Sequence, residues 1–344
     1  MHRIKTFLAR VRTMSFRRMF RYAALASRES GRPRLNILID MAICAFRYGI
    51  GYLDYHTFGF AHLKDRHTRS TFMTMNDNLR LIAAVNNQDR RELFENKLLF
   101  DRAFPDAIGR AFLGLEDCSE EEFRSFAAGK GRIFVKTLGG FGGLGVKAVD
   151  LPEDPEQLPQ LLQSLRAEGY GLAEEAIRQH EGMSALCAAS VNTIRMVTLI
   201  DGSGTPHLMY ALVRMGMGSA AVDNISSGGM YSPLSAEGVI TAPAFCDKTG
   251  ETYGVHPASG TKLVGYQIPK FEEAKALVLK TALRIPDVRY VGWDVAISQG
   301  GPVLVEGNTI PSYDMCQNYR HLPADGKQGV KPIFRQILGN EISL

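Results

Sequence analysis

"RIFVKTLGGFGGLGVKAVD", residues 132–150, is the stretch on which the fold turns. Gly140, Gly142 and Gly145 give the spacing G-x-G-x-x-G. In a dinucleotide-binding βαβ unit that spacing opens a helix whose N-terminus receives the pyrophosphate. Here Val146 to Val149 continue as strand, so that reading fails on context. A Walker loop fails too, because no GK[ST] follows the glycines. What remains is a strand, "RIFVKTL", a loop, "GGFGG", and a second strand, "LGVKAVD". Glycine loops of this kind bring backbone N–H groups over phosphates, since no Cβ intervenes. A strand–glycine loop–strand flap covers ATP phosphates in kinase-like sites. Lys136 ends the first strand, placed to reach a phosphate oxygen. The HRD and DFG segments of protein kinases are absent. A plain glycine-rich hairpin with a surface lysine fits the same residues.

A second pattern lies downstream, in "VGWDVAISQGGPVLVEGNTIP", residues 291–311. Val291, Trp293, Val295 and Ile297 share one face, with Asp294 on the other. Val303 and Val305 lie opposite Leu304, Glu306 and Asn308. Gln299-Gly300-Gly301 reads as a hairpin turn. Centred on Gly300, that turn sets Asp294 directly across from Glu306, with Cβ atoms about 4.5–5.5 Å apart. Asn308 shares their face. Two carboxylates that close repel, so one takes up a proton unless a cation lies between them. Hard oxygen ligands suit Mg²⁺ or Mn²⁺. A solvated polar sheet face and a glycosidase-type acid/base pair also fit.

The bulk numbers narrow the class. The 344 residues allow two or three domains, and the composition is that of an ordinary globular protein. Net charge is +4, but residues 1–28 hold eight Lys/Arg and no acid, which leaves the body near neutral to slightly acidic. No nucleic-acid partner is expected from such a body. The five cysteines are scattered without a CxxC pair, against a zinc site or disulfide framework and in keeping with a reducing cytoplasm. The eight histidines form no HExxH. No apolar run is long enough for a secretory signal or a membrane span. Ile4, Phe7, Leu8 and Val11 fall at helical spacing beside arginines. A membrane-surface arm, a basic helix docked on the body or frayed, and an organellar transit peptide all fit. The expectation is a cytoplasmic protein with a candidate peripheral membrane contact through residues 1–28.

Along the chain, residues 1–95 read as mostly helical, and 96–130 as helical with a loop around Pro105. After the flap, Asp154-Pro155 opens a helix with Leu158, Leu161, Leu162 and Leu165 on one stripe, stopped by Gly169. "YGLAEEAI" reads as a strand. "VNTIRMVTLI" and "PHLMYALVR" read as two long strands around a turn at 201–204, and 216–232 as loop. A helix is expected over about 270–284, and loop plus a short helix over 309–344. The class is α+β and not doubly wound.

In order along the chain, seven segments resemble the ATP-grasp superfamily, and within it the sugar-transfer-associated branch, which is similar to α-L-glutamate ligase-like proteins. They are "NKLLF" (96–100), "VKTLGGFGGLGV" (135–146), "EEAIRQH" (174–180), "SVNTIRMVTL" (190–199), "VDNISSGGM" (222–230), "VGWDVAI" (291–297) and "VLVEGNTIP" (303–311). The resemblance implies two α+β lobes sandwiching ATP, here behind a largely helical N-terminal region. It divides the chain into 1–95, a small lobe over 96–180 and a large lobe over 181–344. It implies that Lys97 and Lys136 contact ATP phosphates under the flap glycines Gly140, Gly142 and Gly143. Glu174, Glu175, Ala176 and Ile177 become the adenine hinge, with His180 or Glu181 near the ribose. Asn192 and Arg195 lie in the pocket, Arg195 bracing phosphate, while Arg214 and the 224–229 loop face the substrate. Asp294, Glu306 and Asn308 hold two Mg²⁺ ions. Structural ion pairs for Arg195 and Arg214, a hydrogen-bonding role for His180 and a surface position for Lys97 fit the residues as well. Family members usually begin with an α/β domain, and residues 1–95 depart from that.

The activity this implies is ADP-forming ligation of a carboxylate to an amine through an acyl phosphate, with Lys136, Arg195 and Arg214 acting on the reacting groups. Both substrates are unidentified, a sugar acid or sugar amine being the expected class, in polysaccharide or glycoconjugate assembly. A sugar or small-molecule kinase on the same fold, and a nucleotide-binding scaffold without catalysis, are the alternatives.

Overall fold

The computed structural model describes residues 15–140, 145–218, 228–339 and 341–342. The two flanks of the flap pair antiparallel as read: β2 (Arg132–Lys136) with β3 (Val146–Asp150), Lys136 standing opposite Val146. Gly145 has φ +81°, and a Cβ there would lie 2.3 Å from the Thr137 hydroxyl, so only glycine fits this end of the loop. Gly142 and Gly143, expected over the phosphates, lie outside the described residues. β1 (Phe112–Gly114) and β4 (Leu172–Glu175) complete a four-stranded sheet in the order β1-β4-β2-β3, antiparallel throughout. The leucine-striped helix, Leu158–Ala167, covers it with Leu162 and Leu165 buried beside Phe123, Ile133 and Val135.

The second sheet has seven strands, in the order β11-β10-β5-β6-β7-β8-β9. β5 (Thr193–Ile200) and β6 (Pro206–Met215) are the two long strands expected, and β10 (Tyr290–Ser298) and β11 (Gly301–Asn308) form the expected hairpin. β5 is buried along its whole length, as an interior strand covered on both faces must be. The helix Phe271–Ala282 packs Phe271, Ala274 and Val278 into the same core as Ile194, Met196, Val213, Trp293 and Val295.

Several expectations need correction. Residues 112–114, expected within a helical stretch, form β1, and β7 (Met230–Pro233) begins inside 216–232, expected as loop. β8 (Ala244–Cys246) and β9 (Glu251–Tyr253) were not anticipated. Each spans three or four residues, too few for a period of two to stand out. "YGLAEEAI" forms strand only to Glu175.

By contacts the chain gathers into two units. One comprises residues 86–200 and 204–309 and holds both sheets. The other comprises 1–85, 201–203 and 310–344. Its described part is helical, as expected, with helices Phe16–Ser30, Arg34–Tyr48, Tyr52–Thr57, Arg66–Ser70, Met75–Val85 and Lys331–Leu338. Buried Tyr55, Phe58, Phe60 and Phe72 form its aromatic interior. Asp40 there meets Arg69 at 2.7 Å and Arg32 at 3.1 Å.

Candidate functional site

The hairpin fixes the first part of the site. Ser298 pairs with Gly301, so the turn is the two residues Gln299-Gly300 and not three. That register alone would bring Val305 opposite Asp294. A bulge between Asp294 and Val295 takes up Val305 as an extra residue, and Glu306 lands opposite Asp294 after all. Gly307, between the two expected ligands Glu306 and Asn308, has no room for a side chain. A Cβ there would lie 2.7 Å from Phe100 and 3.0 Å from Phe94.

The alternation of this sheet separates its chemistry. Trp293 and Val295 face the apolar core, while Arg195, Arg214, Asp294 and Glu306 face the other side. Burial continues on the charged side, where Asp294 is 1% exposed. Arg195 donates from Nε to Asp294 Oδ1 at 2.5 Å and from Nη2 to Oδ2 at 3.1 Å. Arg214 donates to Asp294 Oδ2 at 2.7 Å and to the Thr193 hydroxyl at 2.9 Å. Burial works against the Asp294 charge, but the two guanidiniums outweigh it and hold the carboxyl down at about 2. Glu306 goes the other way. Burial first, and then the neighbouring Asp294 charge, push it up to about 7.

A second charged centre lies at the flap. Lys136 Nζ is 2.6 Å from Glu174 Oε2, and Arg110 Nη2 is 2.9 Å from Oε1. Against burial, these two cations hold Glu174 at about 2. Arg110 also donates to the Leu304 carbonyl of β11 at 2.6 Å, tying the flap centre to the hairpin. Asp101, 1% exposed, is pushed up to about 8 by burial and by the Glu174 charge. A hydrogen bond to the Glu174 carboxylate adds to the same shift and favours the protonated form of Asp101.

Lys97 joins the two centres. Asn96 caps its helix by accepting from the Leu98 and Leu99 N–H groups, which sets Lys97 at the first helical position. Its ammonium donates to the carbonyls of Gly139 at 3.3 Å and Gly140 at 3.0 Å. Burial pulls its pKa down, Glu306 pulls it up and Lys136 pulls it down again, so it feels both centres. Lys97, Phe100, Asp101, Gly140, Glu306 and Asn308 line one cleft that opens to solvent. Around it, Lys97, Lys136, Arg110, Arg195 and Arg214 outnumber the acids Glu174, Asp294 and Glu95, with Glu306 as a fourth acid on the lining side. That field favours a polyanion.

A family model described as sugar-transfer associated ATP-grasp matches residues 76–321. The chain belongs to this ATP-grasp family. No curated protein matches it in sequence. Among solved structures, D-alanyl-alanine synthetase A from Vibrio cholerae O1 biovar eltor str. N16961 is 16% identical with a TM-score of 0.40, over 71% of this chain and 64% of that one. The ATP-grasp ligase PsnB, complexed with minimal precursor, Mg and ADP, is 13% identical with a TM-score of 0.42, over 76% and 64%. N5-carboxyaminoimidazole synthetase from Staphylococcus aureus, complexed with ADP, is 13% identical with a TM-score of 0.39, over 64% and 46%. The chain thus spans about half to two-thirds of the length of these structures.

In this ATP-grasp chain the expected residues do not all gather at the cleft. Lys97, Gly140, Glu306 and Asn308 line it, and Lys136, Arg195 and Asp294 stand at its charged centres. Glu174 turns its carboxylate onto Lys136 and Arg110, with its residue 3% exposed. Glu175 pairs through its backbone N–H with the Ala111 carbonyl at 2.9 Å, and Ala176 and Ile177 follow half-buried beyond the strand. His180 accepts from the Gly182 N–H at 3.1 Å, capping the short helix Glu181–Ser184. Asn192 is fully buried and donates to the carbonyls of Met183 and Cys187, each at 2.8 Å. Asn224 lies outside the described residues. Arg110 and Asp101 escaped the sequence reading. An arginine in a loop carries no spacing signal. Asp101 lies one helical turn beyond Lys97, on the same helix face, and that was the signal available.

Proposed function

We propose that the chain is an ADP-forming, Mg²⁺- or Mn²⁺-dependent ATP-grasp ligase that joins a carboxylate to an amine. The observation that carries this reading is the cleft lined by Lys97, Gly140, Glu306 and Asn308, with Lys136 near enough for its charge to act on Lys97. The donor set fits a hard divalent cation. Glu306 rises to about 7 through burial first and then the Asp294 charge, and a cation relieves that carboxylate repulsion as a proton does. Glu306 and Asn308 would hold it, with Asp294 as the fixed countercharge. When bound, such an ion withdraws charge from the triphosphate.

This chain's own residues supply the rest. Lys97 exchanges the glycine carbonyls for phosphate oxygens. Lys136 leaves Glu174 for phosphate, and Glu174 keeps Arg110 as its partner, so no buried charge is stranded. Arg195 and Arg214, braced on Asp294, stabilise the γ-phosphoryl group as it transfers. The substrate carboxylate oxygen attacks γ-phosphorus and ADP leaves. The amine nitrogen then attacks the acyl carbon, loses a proton, and inorganic phosphate leaves. Closure of the flap keeps water from the acyl phosphate. The family's sugar-transfer association supports sugar acids and amino sugars as the substrate class, in glycan assembly in the cytoplasm. The test is phosphate and ADP release from ATP with a panel of such acids and amines. Release that needs both partners is expected. ADP formed with a hydroxyl acceptor and no amine, or turnover to AMP, sinks the reading.

A further inference from the structure

Among the described residues, the helical unit carries a concentration of exposed apolar side chains. Seven of the fifteen exposed large hydrophobic side chains among the described residues fall between 16 and 53, a concentration and not a scatter. The helix Arg34–Tyr48 shows why. Ile37, Met41 and Cys44 are buried on one side. Leu35, Ile39, Ile43 and Phe46 are 67%, 51%, 53% and 55% exposed. At 3.6 residues per turn these four fall within roughly 80° of one another, on the side opposite the buried stripe. One apolar stripe holds the helix to its unit, and the second faces outward. The preceding helix, Phe16–Ser30, packs against it and exposes Phe16 and Phe20, one turn apart.

Charge identifies the occupant. Arg17, Arg18, Arg21, Arg28, Arg34 and Arg47 are all exposed on these two helices. Between residues 15 and 48 the acids are Glu29 and Asp40 alone. Glu29 is held by Arg320 at 2.7 Å and His56 at 3.3 Å. Asp40 is held by Arg69 and Arg32. An anionic surface therefore meets a strong cationic excess with its few acids already neutralised. Apolar anchors among arginines suit the interface of a bilayer, where the side chains enter the acyl boundary and the guanidiniums meet headgroup phosphates. Among the described residues no helix is long and apolar enough to cross a membrane, so the contact is in-plane.

We propose that the outer stripe of Arg34–Tyr48, Leu35 to Phe46, docks the protein on an anionic membrane surface. This places the insertion face beyond the basic segment 1–28, and it rests on nothing in the ligase reading. The test is flotation of the full chain with vesicles of phosphatidylcholine alone and with about one-third phosphatidylglycerol. The wild type floats with the anionic vesicles and not with the neutral ones. Ile43→Asp with Phe46→Asp, both exposed and so compatible with an unchanged circular dichroism spectrum and ATP binding, lowers vesicle affinity at least tenfold. Arg34→Gln and Arg47→Gln each lower it about fivefold. Undiminished binding by the double aspartate variant overturns the proposal and assigns the contact to the basic segment alone. Equal binding to neutral vesicles overturns its electrostatic half. No vesicle binding, with a dimer in light scattering that the aspartates dissociate, overturns it in favour of a second copy of the chain on this face.

Discussion

Replacing Glu306 with glutamine should stabilise the protein while disabling it. In the folded chain Glu306 titrates at about 7 in place of its ordinary 4.5, because burial and the Asp294 charge oppose its ionisation. The folded state therefore holds a proton that the unfolded chain has already lost between those two values. The stability this provides is fully present below pH 4.5 and is lost as pH rises through 7. A carboxyl moved from 4.5 to about 7 corresponds to about 3 kcal/mol by pH 8. Glutamine keeps the shape and cannot ionise. In metal-free buffer Glu306→Gln should match the wild type near pH 4.5 and exceed it by about 3 kcal/mol at pH 8, a rise in Tm of about 5 °C. The assay is urea unfolding followed by the fluorescence of Trp293, the only tryptophan, which lies buried next to Asp294 in β10. A stability difference that stays constant from pH 5 to 8 would refute the reasoning, because the two carboxyls would then not share a proton.

Other consequences follow from the same geometry. Lys136→Met should lower kcat/KM at least 100-fold in an ADP-release assay, while costing only about 1–3 kcal/mol in chemical denaturation because Arg110 still pairs with Glu174. Gly307→Ala should cost about 1–3 kcal/mol, read by thermal unfolding, since its Cβ would overlap Phe100 and Phe94. Asp101→Asn should flatten the alkaline limb of stability. Wild-type Asp101 loses its contribution as pH rises from the ordinary carboxylate range to about 8, and asparagine does not, so the two unfolding curves should separate up to about pH 8 and run parallel above it.

How far the sequence carried the fold depended on period and length. The flap strands and the leucine-striped helix were legible because apolar alternation and glycine breaks mark them over five residues or more. β1, β8 and β9 were invisible at three residues each. The pairing of Asp294 with Glu306 was legible for an incomplete reason. A three-residue turn was assumed, and the true two-residue turn reaches the same register only because Val305 bulges out. Ion pairing across strands was the least legible part. Nothing in "GRAFLGL" announces that Arg110 will brace Glu174 and the Leu304 carbonyl. That Arg195 and Arg214 would both close on Asp294 follows from register, Asp294 standing opposite Arg195 and Thr193 opposite Arg214, and register needs the assembled sheet.

The central claim is that one cleft binds a nucleotide and a divalent cation together. Isothermal titration of ATP into the purified chain, with and without Mg²⁺, tests it most directly. Saturable uptake that requires Mg²⁺, and that weakens at least tenfold in Lys97→Met, is the predicted result. Uptake of equal strength without the metal, or none with it, contradicts the account.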